Sequence, residues 1–382
     1  MQKIVRSIKL VGLGALAAII VAVVATLRHI IETPQPLESA LPGESHIYRW
    51  KRGHIFYKVL GAVDASPLVL LHTPGVGASA YEWRQIMQQL AQHYRVYAPD
   101  LLGFGLSDRP QMDYSAETYI TLCRDFLVDV VAQPATLLAS RLSCNYAVAV
   151  ATRSPEVCER LVLISPVELS GGQQLSLPKG LVLKRPAELP LNALYSIMST
   201  RIALRYAIGR QGTSRRHAKA QVSASDVDYL YATTHQFGAQ HAPIALMAGK
   251  LAVDISRQLE ALQQPTLIIW GAEALNNARY LTRQRQISPH TQIVLIDDAG
   301  IRVHEERPAI VVADIQEWTE EDKTVEMQEV KSEPSVEAYC VKCKNKRMME
   351  GAHEVTMKNG RPAISGTCPV CGTTLYRIGR LS

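Results

Sequence analysis

At 382 residues the chain exceeds the usual size of one domain, which points to a body of about 250–280 residues carrying smaller appendages. A hydrophobic share of 47% belongs to a core-forming chain and excludes a wholly disordered one. The net charge of +6 is unevenly placed: between Asp314 and Glu337 nine acidic residues stand against Lys323 and Lys331, and from Cys340 onward eight basic residues stand against Glu350 and Glu354. This is the pattern of an acidic tether leading into a basic module.

In chain order, residues 10–27 (LVGLGALAAIIVAVVATL) come first, 18 uncharged and almost wholly apolar positions. As a helix they span about 27 Å, just enough for a bilayer. Lys3, Arg6 and Lys9 precede this run while Arg28, Glu32 and Glu38 follow it. The positive-inside rule then predicts a single-pass membrane anchor, with the N-terminus cytoplasmic and the bulk of the chain on the extracytoplasmic side. A cleaved signal peptide, with Val23 and Ala25 as the small residues at its cleavage site, is the alternative. Residues 28–45, with three prolines in TPQPLESALPGES, read as a linker.

From residue 46 short apolar runs alternate with helical stretches. The runs are HIYRWKRGHIFYKVLG, PLVLLH, YRVYAPD, ATLLAS, RLVLISP, PTLIIWG and TQIVLIDD, and amphipathic segments occupy 81–92 and 115–131. The alternation predicts an α/β fold, a doubly wound and mostly parallel sheet with helices on both faces. Residues 171–264 interrupt the rhythm, rich in Leu, Ala, Arg and Tyr without a good strand; they read as a helical cap inserted between the runs RLVLISP and PTLIIWG.

Five ordered segments, LLHTPGVGASAYEW, APDLLGFGLSDRP, RSPEVCERLVLISP, PTLIIWGAEA and DDAGIRVHEERP, resemble the α/β-hydrolase family over residues 46–318. The resemblance implies a nucleophile on a tight strand-to-helix turn with small residues two places to either side. In ASRLSC the small flanks are Ala139 and Ser143, and Arg141 stands between them. A guanidinium has no lone pair with which to attack a carbonyl. The family's acid position is Ala274 and its histidine position is Ile301. Loss of all three members leaves at most a residual rate, so the resemblance implies a protein without hydrolase activity. His304, three positions beyond Ile301, is the fallback base of a rebuilt ester- or lactone-hydrolysing site. Cys144 is expected in helix–sheet packing, and Glu168 and Glu273 are expected as solvated loop residues. Thr73 follows His72 where the family has glycine, and Arg141, Thr73 and Leu142 are the candidate pocket residues. Arg141 has two readings: an anion ligand at a helix N-terminus, suited to a carboxylate or phosphate, or a strut paired with Glu168 or Asp100.

After the acidic linker at 319–337, residues 338–382 carry Cys340-x2-Cys343 and Cys368-x2-Cys371. Two such knuckles make a closed tetrahedral thiolate site, the signature of structural zinc, though CPVCG also resembles the iron knuckle of rubredoxin. The module resembles zinc ribbons, and EVTMKNGRPAISGTC reads as a β-hairpin turning at NG. Its basic residues raise nucleic acid as a partner; a protein-contact or solubilising surface is the other reading. The partners read from the chain are thus a membrane, a small anionic ligand or protein, and nucleic acid.

Overall fold

A computed structural model of the chain describes residues 36–166, 191–211, 223–274, 290–332, 336–357 and 360–379. Glu168 and the apolar stretch 10–27 lie outside them, and among the described residues no helix is long and apolar enough to cross a membrane. The chain divides into two compact units, Met1–Ile315 and Gln316–Ser382.

In the first unit the elements run β1 (Glu44–Trp50), β2 (Gly53–Leu60), β3 (Pro67–Leu71), a short 3-10 turn (Ala80–Trp83), α1 (Met87–Leu90), β4 (Arg95–Pro99), α2 (Ala116–Phe126), β5 (Ala135–Ser140), α3 (Ser143–Arg153) and β6 (Cys158–Ile164). Among the described residues five helices follow: α4 (Leu191–Met198), α5 (Arg201–Gln211), α6 (Ala224–Thr234), α7 (His241–Met247) and α8 (Ser256–Glu260). Then come β7 (Thr266–Gly271), β8 (Thr291–Ile296), α9 (Val303–Glu306) and α10 (Pro308–Ser332). The eight strands form one sheet in the order β1-β2-β4-β3-β5-β6-β7-β8. β1 and β2 pair antiparallel, β2 meets β4 antiparallel, and every pairing from β4 through β8 is parallel. The sequence alternation therefore marks the strands correctly. The described part of the interval 171–264 is helical, as its composition predicts.

Central strands read as unbroken apolar runs because both faces are covered; every residue of β3, β5 and β7 is buried. Helix α3 is buried along Ser143–Ala151, which explains why SCNYAVAVA lacks a polar face. The Tyr146 hydroxyl donates to the Leu251 carbonyl at 2.8 Å and the Asn145 amide to the Val253 carbonyl at 3.0 Å, which ties the segment between α7 and α8 to α3.

The loop after β4 is organised by a buried carboxylate. Asp100 accepts from the backbone N–H of Ala80 at 2.6 Å and of Leu106 at 2.7 Å, while the Ser107 hydroxyl donates to the Asp100 carbonyl at 2.6 Å. The chain can close round it because Gly105 has φ +52 and no side chain, and a Cβ there would lie 2.1 Å from Cγ of Asp100. The conformational demand and the close approach act together.

In the second unit α10 continues to Ser332. The acidic stretch read as a linker is therefore helical over most of its length, in keeping with the helix propensity of its Glu, Lys, Gln and Met residues. Beyond it, β9 (Glu337–Cys340) pairs with β10 (Asn345–Met348), and β11 (Glu350–Thr356), β12 (Pro362–Thr367) and β13 (Thr374–Ile378) form a three-stranded antiparallel sheet. The expected hairpin is β11–β12, with Gly360 at φ +76 in its turn.

Gly105→Ala is expected to destabilise the first unit by at least about 1 kcal/mol, read as a lower midpoint in thermal unfolding followed by circular dichroism. An unchanged midpoint would show that Asp100 does not organise this loop.

Candidate functional site

The parallel register brings the ends of β3, β5, β6 and β7 to one edge, where the loops carry the polar groups. At the end of β5 the chain turns sharply into α3. Arg141 holds this turn in the left-handed region, φ +49, with its N–H donating to the Ile164 carbonyl at 2.8 Å. A non-glycine residue there stores on the order of 1 kcal/mol or more of strain. Both small flanks, Ala139 and Ser143, are fully buried, so the backbone closes as the ASRLSC pattern predicts. Leu142, the N-cap residue of α3, is also buried.

The sequence reading passed over the acidic group at the centre of this edge. Glu82, in the 3-10 turn after β3, accepts the Thr73 N–H at 2.8 Å through Oε2 and the Ser140 hydroxyl at 2.6 Å through Oε1. Its Oε1 also lies 3.3 Å from Nε2 of His304. Burial alone would raise its pKa, but His304, Ser140 and the Thr73 N–H overcome that and hold the carboxyl down at about 2. Glu82 was overlooked because one acidic residue between Tyr81 and Trp83 has no period and no motif. Only the sheet order places it against β5 and α9.

Glu82 also acts on Arg141. Burial lowers the proton affinity of the guanidinium, the Glu82 charge opposes that, and Arg302 adds to it. Asp100 itself is engaged by the backbone N–H groups of Ala80 and Leu106.

The remaining expected positions fall as follows. Ala274 ends a short turn after β7 and is half-buried, as is Ile301. Their segments are pressed together, since a Cβ on Gly271 would lie 2.2 Å from the Gly300 carbonyl oxygen. Glu273 is exposed. His304 is fully interior, its ring centroid 5.0 Å from that of Trp83. His72 is buried and bonded at both nitrogens, with Nε2 accepting the Leu101 N–H at 2.9 Å and Nδ1 against the Thr73 carbonyl at 3.1 Å; a neutral ring protonated on Nδ1 fits both bonds, and burial lowers its pKa.

The hydroxyls and the thiol nearest Arg141 in the chain are committed elsewhere. The Ser140 hydroxyl donates to Glu82, the Ser143 hydroxyl to the His72 carbonyl at 2.6 Å, and the Cys144 thiol to the Ala139 carbonyl at 3.3 Å. Burial also pushes the Cys144 thiol well above its usual range. On the cap side, Tyr81 donates to Asp226 at 2.9 Å and stacks on Tyr229 with centroids 4.1 Å apart. Arg84 bridges Asp226 at 3.1 Å and Glu305 at 2.9 Å, linking α6, the turn after β3 and α9.

In the second unit the thiols of Cys340, Cys343, Cys368 and Cys371 lie within 4.8 Å of one another. Sulfurs of Cys340 and Cys371 are 3.4 Å apart and those of Cys343 and Cys368 are 3.9 Å apart. A tetrahedral zinc with ligands at about 2.3 Å sets its sulfurs about 3.8 Å apart, so the cluster has the dimensions of a metal site.

Comparison with known proteins decides the family. Residues 68–315, well over half of the chain, match the model described as Alpha/beta hydrolase family. The chain belongs to the alpha/beta hydrolase family. Residues 339–378 match a domain of unknown function, DUF5679. The chain is 26% identical over 254 residues to an uncharacterised protein of Mycobacterium tuberculosis, covering 65% of this chain and 73% of that one. It is 25% identical over 308 residues to the cis-3-alkyl-4-alkyloxetan-2-one decarboxylase of Shewanella oneidensis, covering 76% and 93%. With the 2-hydroxymuconate semialdehyde hydrolase of a Pseudomonas it shares 36% identity over 106 residues, 27% of this chain and 38% of that one. Among solved structures, a meta-cleavage product hydrolase from Pseudomonas fluorescens superposes with TM-score 0.58 at 22% identity, covering 73% of this chain and 98% of that one. The hydrolase-family body thus shares its fold with enzymes, while its turn carries Arg141.

The depressed pKa of Glu82 sets a pH dependence. Its ionised form contributes stability that is fully present above the unfolded value of about 4.3 and is lost as pH falls through about 2. Glu82→Gln is expected to cost on the order of 3 kcal/mol at neutral pH and to flatten the acid limb of stability, read by urea denaturation across pH. Parallel curves for the two proteins would rule the network out as a stabilising element.

Proposed function

We propose that the hydrolase-family body is a binding protein that does not hydrolyse, with Arg141, Thr73 and Leu142 lining the place where its relatives cleave substrate. One observation carries this reading: Arg141 occupies the strained turn where a nucleophile is expected, and Ser140, Ser143 and Cys144 beside it are each bonded elsewhere. Ala274 supplies no carboxylate and Ile301 no imidazole, so the positions expected to carry the acid–base pair do not carry one. His304 does not replace them, because its ring is enclosed against Trp83 and its Nε2 faces Glu82. The ligand is a small molecule, or a segment of a protein partner, bearing a carboxylate or phosphate that meets Arg141.

In the same reading the apolar stretch 10–27 anchors the chain in a membrane, and the four cysteines hold one structural zinc. With four thiolates as ligands the ion has no open position. Its contribution is to staple a unit whose apolar core is small.

The expected result for the full-length chain is no turnover above background on a panel of esters and lactones, and none gained by Arg141→Ser alone, because two further groups would also have to be restored. Turnover that His304→Ala abolishes would return the protein to the enzymes. For the metal, elemental analysis is expected to find about one zinc per chain, lost in Cys368→Ser together with the ordered signals of residues 336–379. Iron in its place would make the site rubredoxin-like, and an ordered, metal-free second unit would remove the metal altogether.

A further inference from the structure

The cap helix α5 is amphipathic in an unusual sense. Its inward side is set by Leu204, only 2% exposed. Its outward side is not polar: Ile202, Arg205 and Tyr206 recur at the spacing of one helical face, and all three are exposed. Ile202 is 85% exposed, the most of any large hydrophobic residue among those described, and Tyr206 is 60% exposed. Arg201 is engaged within the cap, its guanidinium paired with Asp228 and lying 4.1 Å from the ring centre of Tyr231. That fixes α5 against α6. Among the described residues no carboxylate pairs with Arg205.

A single exposed apolar residue is ordinary on a soluble surface. An aliphatic and an aromatic side chain one turn apart, with a cation between them, have the make-up of a helix that lies in a membrane interface. The charge of the surrounding sequence has the matching sign: from Leu189 to Ser225 it holds six basic residues and no acidic one. Chain length supplies a third argument. Between the apolar stretch 10–27 and β1 at Glu44 there are sixteen residues, which span at most about 55 Å when extended. A body of this size is roughly 50 Å across, so a chain anchored by residues 10–27 can bring its cap to the bilayer. A short tether also holds the two at an effective concentration in the millimolar range, at which a weak contact suffices.

We propose that the outward face of α5 docks on the surface of an anionic bilayer, with Ile202 and Tyr206 entering the headgroup boundary and Arg205 meeting lipid phosphate. This rests on the reading of residues 10–27 as a membrane anchor and adds a second, peripheral contact to it.

The test measures hydrogen exchange of the full-length chain in phosphatidylcholine vesicles with and without about 30% phosphatidylglycerol, with vesicle flotation run in parallel. Exchange over residues 201–211 is expected to slow about 10-fold or more in the phosphatidylglycerol vesicles, the effect of removing one large apolar side chain from water. The double variant Ile202→Ser, Tyr206→Ser is expected to lose that protection while β5 exchanges as in the wild type, which verifies that the body stays folded. Arg205→Gln is expected to lose about 5-fold of it. Wild-type chain that floats with vesicles while 201–211 exchanges as fast as in the double variant would overturn the docking and leave the anchor standing. Chain that floats with neither kind of vesicle would overturn both. Flotation of the wild type that the double variant loses would support docking and remove the anchor. Protection of 201–211 in detergent solution that rises with protein concentration would make the face a contact between copies and overturn the proposal.

Discussion

The ends of three segments converge on the carboxylate of Glu82. Its two oxygens take the Thr73 N–H that leaves β3 and the Ser140 hydroxyl that ends β5, and one of them faces His304 on α9. A charge in a low-dielectric interior is tolerated only when its lone pairs are filled, so the position of each segment is constrained by the others. Arg84 extends the constraint outward to Asp226 and Glu305, and through Asp226 to the cap helix α6. The cap and the sheet edge therefore share one set of ionic contacts.

The turn at Arg141 is an energetically expensive feature of the fold. Left-handed backbone at a non-glycine residue persists only where its surroundings over-determine it. Here Ala139 and Ser143 are packed without space, and the Arg141 N–H is bonded to β6. The scaffold thus holds whatever residue occupies the turn at the edge of the sheet. In the function proposed for this body, an arginine there would make the turn a place of charge recognition; the fold by itself does not fix the activity.

The second unit follows different physics. Its core of Val336, Ala338, Cys340, Met349, Ile364, Cys368 and Leu375 is small, and two of the four clustered cysteines belong to it, so the sulfur cluster is built into the core.

Much of the architecture was legible in the sequence. Unbroken apolar runs such as PLVLL and TLIIWG specify strands buried on both faces, the ASRLSC pattern specifies a tight turn centred on Arg141, and the two CxxC pairs specify a four-sulfur cluster. In each case the signal is local, because period, side-chain size or spacing within a few residues is what the physics acts on. The acidic stretch after residue 318 was less legible, since charge pattern suggested a tether where helix propensity prevailed as far as Ser332. What only tertiary structure decided is which distant groups meet. Glu82 and Ser140 are 58 positions apart and Arg84 and Glu305 are 221 apart; nothing in their neighbourhoods marks them as partners. Sequence by itself determined the strands, the turn and the cysteine site. The fold alone decided that Glu82 meets Thr73, Ser140 and His304, because that depends on the order of strands in the sheet and on no local preference.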